Sequence, residues 1–343
     1  MKQGGSPTLE DVARVAGVSR ATVSRVINGI RNVDPDIQAT VLQAIATIGY
    51  VPNRAARSLV TRRTGAVALV LSGAGSDEDP SPSPILTDPF FGRVVAGIIS
   101  FLRPRGIHPV LMFADTAQSR AEVVSYLRQG DADGALLVST HAADPLPVEL
   151  VEAEVPAVLF ARPTSSAPIS YVDLDHRAGA ALAADRLVEL GRRRVASVCG
   201  PLDVPAAQAR LAGFQDAMAR HGHAYVPYSE GGFTYDSGER AMERLLNERP
   251  DLDGVFVAND LMAQGALHAL RHHGRSVPDD VAVIGFDDSS AATACRPPLT
   301  TIRHPVEDMA AEMARLLLDH IDEPSRTPRS VIFEPALIVR ASG

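Results

Sequence analysis

From residue 64 onward the chain alternates short Val, Leu and Ile runs with amphipathic stretches, and this constrains its fold more than any other feature. The runs are Ala66 to Leu71, Pro109 to Phe113, Ala135 to Val138, Ala157 to Phe160, Val195 to Cys199, Val255 to Ala258 and Val281 to Phe286. Each is too short for a helix and apolar at consecutive positions, the pattern of a strand buried on both faces. Such strands between helices imply parallel sheets covered on both sides. Sheets of this kind place ligand sites at the carboxyl ends of their strands. A break around Arg162 to Tyr171 divides the runs into two similar lobes with a cleft between them. A length of 343 residues with 45% hydrophobic content is ample for more than one domain and a sizeable core.

The first 63 residues follow a different pattern. Thr8 is placed to cap a helix, with Asp11 in the position of the capping-box acid, and Val12, Ala13, Val15 and Ala16 give that helix an apolar side. Gly17 permits the positive φ of a helix end, and Ser19 is placed to cap a second helix from Arg20 to the Asn28-Gly29 stop. Ala13 and Gly17 would let the two helices cross closely. Val23, Val26 and Ile27 form the inner side of the second helix, while Arg20, Ala21, Thr22, Ser24 and Arg25 lie on its other side. That polar side suits a recognition helix in the major groove, with Arg20 and Ala21 against base edges and Ser19, Thr22, Ser24 and Arg25 on phosphates or further bases. Spacing alone leaves an ordinary packed helical hairpin open. A third helix opens at Asp34-Pro35 and carries Ile37, Val41, Leu42, Ile45 and Ile48 as far as Gly49. The Ala/Arg segment after Tyr50 has no core of its own and is too short to be a stable helix alone, so it is expected to order against DNA or a second copy.

In its motifs the chain resembles transcription repressors of the lactose/galactose repressor (LacI/GalR) family. The resemblance is carried by Leu9-Glu10-Asp11-Val12-Ala13, Ala16-Gly17-Val18-Ser19, Thr22 to Asn28, Gly49-Tyr50-Val51-Pro52-Asn53 and Ala56-Arg57-Ser58-Leu59. In the body it continues through Asp88-Pro89-Phe90-Phe91, Arg210 to Phe214, Ala258 to Gly265, Gly285 to Asp288 and Pro298 to Ile302. It implies an all-α helix-turn-helix head on an α/β two-lobed core like that of periplasmic binding proteins, its parallel sheets flanked by helices. The domains expected are a head over residues 1–52, a hinge over 53–63 and an effector and dimerisation core over 64–343. In the core, about 64–174 and 304–333 would form the N-lobe, and about 175–303 and 334–343 the C-lobe. The DNA-binding residues implied are Thr8, Ser19, Arg20, Ala21, Thr22, Ser24, Arg25, Asn28, Tyr50, Asn53, Ala56 and Leu59. Leu59 would wedge into the minor groove at the centre of a palindromic operator. One departure is the Gly/Ser/Pro/Asp-rich stretch Ser72 to Thr87, longer than the family usually has and expected to be a flexible loop at the cleft mouth.

Charge divides along the same boundary. Residues 1–63 hold nine Lys and Arg against four Asp and Glu, whereas the other 280 hold 24 against 37. A basic head on an acidic body is the footprint of a nucleic-acid module joined to something else, and its DNA affinity should fall steeply with salt. Cys199 and Cys295 lack metal-ligand spacing and read as reduced thiols. No run is apolar enough for a signal core or a membrane span, so a cytoplasmic protein with no membrane partner is expected.

The resemblance implies a small-molecule effector in the cleft, contacted by Asp88, Phe90, Arg162, Arg210, Phe233, Asn259 and Asp287. Planar charged and amide groups beside an aromatic ring suit a sugar, and stacking with a carboxylate suits a purine. Arg162 with Arg210 raises the alternative of an anionic or phosphorylated sugar derivative. Asn259 can equally cap the helix after it. His268 and His272, four apart on a helix, lack a third ligand and read as a solvated face. Gly73-Ala74-Gly75 is followed by acids where a dinucleotide fingerprint needs glycine and a helix start. Asp287-Asp288 has no evident catalytic partner, so no enzyme activity and no cofactor or metal is expected. The function implied is a ligand-controlled repressor acting as a homodimer on palindromic DNA, with tetramers disfavoured by the absence of heptads after Arg340. A sugar-binding protein without a DNA role and an α/β enzyme are the alternatives.

Overall fold

The computed structural model describes residues 7–27, 33–51, 63–72, 88–139, 141–164 and 166–343. Two bodies are described, a helical head and an α/β core. In the head, α1 is Leu9–Ala16, α2 is Arg20–Ile27 and α3 is Pro35–Ile48. Val12, Ala13, Val23, Val26, Val41 and Ala44 are buried together at their centre. Val15 is 49% exposed and Leu42 52% exposed, against the apolar-side expectation, because a three-helix core this small covers only a narrow stripe of each helix. Gly17 has φ +65, as a left-handed helix end requires, but open space lies where its Cβ would be, so it does not serve a close helix crossing.

The core elements in chain order are β1 Ala66–Ser72, α4 Pro89–Leu102, β2 His108–Ala114, α5 Ala117–Arg128, β3 Ala135–Ser139, α6 Leu146–Glu152, β4 Ala157–Phe160 and β5 Ser170–Leu174. After them come α7 His176–Glu189, β6 Val195–Cys199, α8 Pro205–Arg220, β7 Tyr228–Glu230, α9 Tyr235–Glu248, β8 Gly254–Val257 and α10 Asp260–His272. The last are β9 Ala282–Asp287, α11 Ser290–Ala294, β10 Thr300–Arg303, α12 Val306–Asp322, β11 Ser330–Phe333 and β12 Ala336–Ile338. They build two sheets of six, in the orders β11-β5-β4-β3-β1-β2 and β12-β10-β9-β8-β6-β7. Pairing is parallel from β1 through β3, β4 and β5 to β11, and from β7 through β6, β8 and β9 to β10; β12 is antiparallel to β10.

The chain passes between the sheets after β5, after β10 and between β11 and β12. Helix α12 therefore packs on α4 and against β4 and β5, although it follows a strand of the second sheet. Each lobe is thus made of pieces distant in sequence, and the carboxyl ends of both sets of strands face one cleft.

Helices α9 and α10 pack through glycines. A Cβ at Gly265 would collide with the Tyr235 carbonyl oxygen, and one at Gly238 with that of Met262. A backbone carbonyl cannot swing aside as a side chain can. Gly265→Ala should therefore lower stability by about 1–3 kcal/mol in denaturant unfolding, overpacking outweighing a helix-propensity gain of about 1 kcal/mol. Gly92→Ala, on α4 with open space at its Cβ, should be neutral or stabilising in the same experiment.

Candidate functional site

The cleft has a cavity of about 290 Å³. It is lined by all seven of Asp88, Phe90, Arg162, Arg210, Phe233, Asn259 and Asp287. Asp88 caps α4, accepting from the Phe90 N–H at 2.9 Å, and so sets Phe90 just inside the helix. The Phe90 ring meets Phe160 edge-on at 5.4 Å and lies tilted against His304 at 5.8 Å. Arg162 follows β4 and is exposed. Phe233 precedes α9 with φ +60, its ring over Gly200, where a Cβ would strike it. Asn259 caps α10: its Oδ1 accepts from the Met262 N–H at 2.9 Å and its Nδ2 donates to the Phe233 carbonyl at 3.1 Å. Capping thus engages one end of that amide, and the loop carrying Phe233 the other.

Arg210 lies on α8 and is 5% exposed. Its Nη1 donates to the Ala258 carbonyl at 2.5 Å and its Nε to His176 Nδ1 at 3.3 Å, while Nη2 stands 3.5 Å from Asp287 Oδ1. The guanidinium also lies over the Phe286 ring at 3.8 Å. Its charge is held by protein groups on every side.

Several cleft residues are not in the sequence expectation. Phe160, Asp173, His176, His304, Asp144 and His141 also line the cavity. His176 and His304 stand at two of the three passages between lobes, their rings 5.7 Å apart. Burial and the Arg210 charge hold both imidazoles well below the ordinary histidine range. His304 Nε2 is buried without a hydrogen-bond partner, and His304 Nδ1 lies 3.4 Å from Asp287 Oδ1. At the mouth, His141 Nδ1 of the first lobe faces Asp203 Oδ2 of the second at 3.2 Å. A residue immediately after a strand's carboxyl end was the available signal for His304, and a residue opening a helix after such a strand for His176.

Backbone strain concentrates here. Ala161, Phe233 and Asp287 line the cavity with φ of +97, +60 and +109, and Asp288 follows at +51. Non-glycine residues rarely adopt such angles, and their clustering at a concave site is typical of ligand-binding geometry. Asp288 turns away to bond Arg340 at 2.5 Å.

In the head, Thr8 and Asp11 form the reciprocal cap, with Thr8 Oγ1 donating to Asp11 Oδ2 at 2.7 Å and the Thr8 N–H at 3.0 Å. These bonds and Arg14 hold the Asp11 carboxyl down at about 2. The Ser19 hydroxyl accepts from the Thr22 N–H at 3.1 Å and lies 2.9 Å from Thr22 Oγ1. Ala21 and Arg25 are exposed, and Thr22 and Ser24 partly so. Arg20 reaches the exposed Glu10 carboxylate at 3.1 Å, an ion pair that water screens and a nucleic-acid phosphate or base can displace. Tyr50 packs against the head's core. Asn28, Asn53, Ala56 and Leu59, and the stretch 73–87, lie outside the described residues. Among the described residues no helix is long and apolar enough to cross a membrane.

Comparison with known proteins follows this division. Residues 8–53 match bacterial regulatory proteins of the lacI family, and residues 161–343 match the periplasmic binding protein-like domain. Over 347 residues, covering 100% of both chains, the sequence is 45% identical to the HTH-type transcriptional regulator CelR of Thermobifida fusca. A solved CelR-cellobiose complex superposes with a TM-score of 0.75 at 43% identity, covering 98% of this chain and 100% of that one. The lac repressor dimer bound to operator and the anti-inducer ONPF superposes with a TM-score of 0.80 at 27% identity, covering 98% and 99%.

The cleft's charge has a consequence for stability. Burial, and then the Asp287 carboxylate, raise Asp88 from 3.8 to about 6. A carboxyl whose folded value lies above its unfolded one destabilises the fold once ionised, so this cost is absent well below 3.8, grows as pH rises from there through about 6 and is constant above. Asp88→Asn keeps the cap and removes the charge. It should be more stable than wild type at pH 7.5, by up to about 3 kcal/mol, with the difference shrinking below about pH 6 and vanishing by about pH 3 in parallel unfolding titrations.

Proposed function

The chain belongs to the lacI family of bacterial regulatory proteins, and from that premise we propose that it is a repressor whose operator affinity is set by a neutral sugar held in the cleft. As a member of that family it is a DNA-binding transcriptional regulator and not an enzyme. Two copies would present two heads to half-sites related by two-fold symmetry, as in the operator-bound lac repressor dimer it resembles. The protein would act in the cytoplasm, where its operators are.

The arrangement of Arg210 is the observation that carries the effector class. An anionic ligand needs a cation free of other charges, and here every nitrogen of the buried guanidinium already meets a protein group, Ala258, His176 or the Asp287 carboxylate, with the Phe286 ring beneath. Around it stand the carboxylates Asp88, Asp144, Asp173 and Asp287, with exposed Arg162 the other arginine of the lining. Carboxylates accept from sugar hydroxyls and repel phosphate. The rings of Phe90, Phe160 and Phe233 offer apolar surface for a pyranose face. Similarity to a regulator solved with cellobiose makes a disaccharide the first candidate. The seven cleft residues named from sequence are proposed as its contacts, and Arg20 and Ala21 as the base-reading pair.

The reading is tested by fluorescence anisotropy of the full chain on palindromic duplexes from upstream of its own gene. Binding should be sequence-specific and weaken by orders of magnitude between about 50 and 200 mM salt. Cellobiose should shift it, whereas sugar phosphates should not. Arg20→Ala should cost about 1–3 kcal/mol on the preferred site and relax its selectivity. If no palindrome is preferred at low salt with any sugar, the repressor reading fails.

A further inference from the structure

Arg93 does not line the cavity, yet its guanidinium is tied into the cleft floor. It stands on α4, one turn beyond Phe90, and its side chain is 19% exposed. Its Nη1 donates to the main-chain carbonyl of Asp287 at 2.9 Å, and its Nη2 to that of His304 at 2.8 Å. Its Nε and Nη2 also donate to Glu307 Oε1 and Oε2, each at 2.8 Å. One planar group thus joins the first lobe's helix α4, the end of β9 in the second lobe, a passage between lobes, and α12.

The carbonyls it holds belong to two residues that face the ligand cavity. Asp287 is strained at φ +109, and nothing in its local sequence favours that angle as a glycine would. A strained peptide persists where its surroundings over-determine it. A charge-assisted bond to the carbonyl of that residue resists its relaxation. Relaxation would swing the carboxylate away from Arg210 and His304.

We infer that Arg93 is a positioning residue for the effector: through main-chain bonds it sets the Asp287 carboxylate and the His304 imidazole toward the ligand. The donor sits on the helix that also carries Asp88 and Phe90, while its acceptors belong to the second lobe and the passage. Presentation of Asp287 therefore depends on the two lobes meeting as they do here. This inference rests on the reading of the cleft as the effector site.

Two variants separate positioning from simple support. Lysine keeps the charge beside Glu307, and so the tie between α4 and α12, but lacks the planar fork that spans two carbonyls. Full-length Arg93→Lys should melt within about 2 °C of wild type. Calorimetric titration with cellobiose should nevertheless show binding about tenfold weaker, the scale of one lost charge-assisted bond. Arg93→Met should lose both affinity and melting temperature. Wild-type affinity in either variant, or affinity that falls only in step with melting temperature, would overturn the inference while leaving the effector reading intact. A wild-type chain that binds neither cellobiose nor any other neutral sugar removes the effector reading itself, and this inference with it.

Discussion

The core is assembled around a buried guanidinium. Removing a charge from water costs several kcal/mol unless its polar atoms are engaged, and each of the three nitrogens of Arg210 meets a group drawn from across the cleft. The demand propagates. Because Arg210 Nε donates to His176 Nδ1, that ring is neutral with its proton on Nε2, which stands 3.6 Å from Asp173 Oδ1. His304 is held neutral by the same cation and by burial. Burial likewise pushes the carboxyls of Asp88 and Asp287 upward, and the nearby guanidinium partly offsets this. What a ligand meets is therefore a set of acceptors pre-positioned around a buried arginine.

Topology explains why the set sits at the meeting of the lobes. Each sheet is completed by strands that arrive from the other lobe's end of the chain, so three passages converge behind the cleft. His176 and His304 lie on two of them, and their rings pack with Phe286, Phe90 and Phe160. Rotation of one lobe against the other has to move these rings, the Arg93 bonds to Asp287 and His304, and the His141–Asp203 contact at the mouth together. Packed interiors shift between discrete arrangements rather than deform smoothly, which is the physical basis for a ligand acting on a distant surface. By linkage, operator and effector must then alter each other's affinity by the same factor.

The parts of this architecture legible in sequence are those with a local cause. One apolar run, β2, lies at a sheet edge with Leu111 46% exposed and is not buried on both faces, but all seven runs, the Thr8 to Asp11 cap and the Gly17 end are written in neighbouring residues. Five strands are not. β5 alternates in and out, reading Ser-Tyr-Val-Asp-Leu, and β7 is a three-residue edge strand, Tyr-Ser-Glu. β10 to β12 owe their strand state to partners far away in the chain. The cleft shows the same split. Of the seven residues named from sequence, Asp88, Phe90, Arg210, Asn259 and Asp287 lie in family motifs while Arg162 and Phe233 do not, and all seven meet in one cavity. His176 and His304 carry only the weak signal of standing just past a strand, and with Arg93 they draw their roles from bonds and ring contacts made across tens to hundreds of residues.

Head and cleft differ in how free their specificity is to change. The head's core is a few small residues, Val12, Ala13, Val23, Val26, Val41 and Ala44, and its stability is decided on the inner sides of the helices. Arg20, Ala21 and Arg25 project outward, and the ion pair of Arg20 with Glu10 is exposed and worth little. If they are the base-reading residues proposed, their replacement would change which bases are read without disturbing the fold. The cleft has no such freedom: altering Asp287 unpairs Arg210, which unsettles His176, and altering Asn259 uncaps α10 and releases the Phe233 carbonyl. A chain built this way can acquire a new operator by single substitutions, whereas a new effector requires several buried groups to change together.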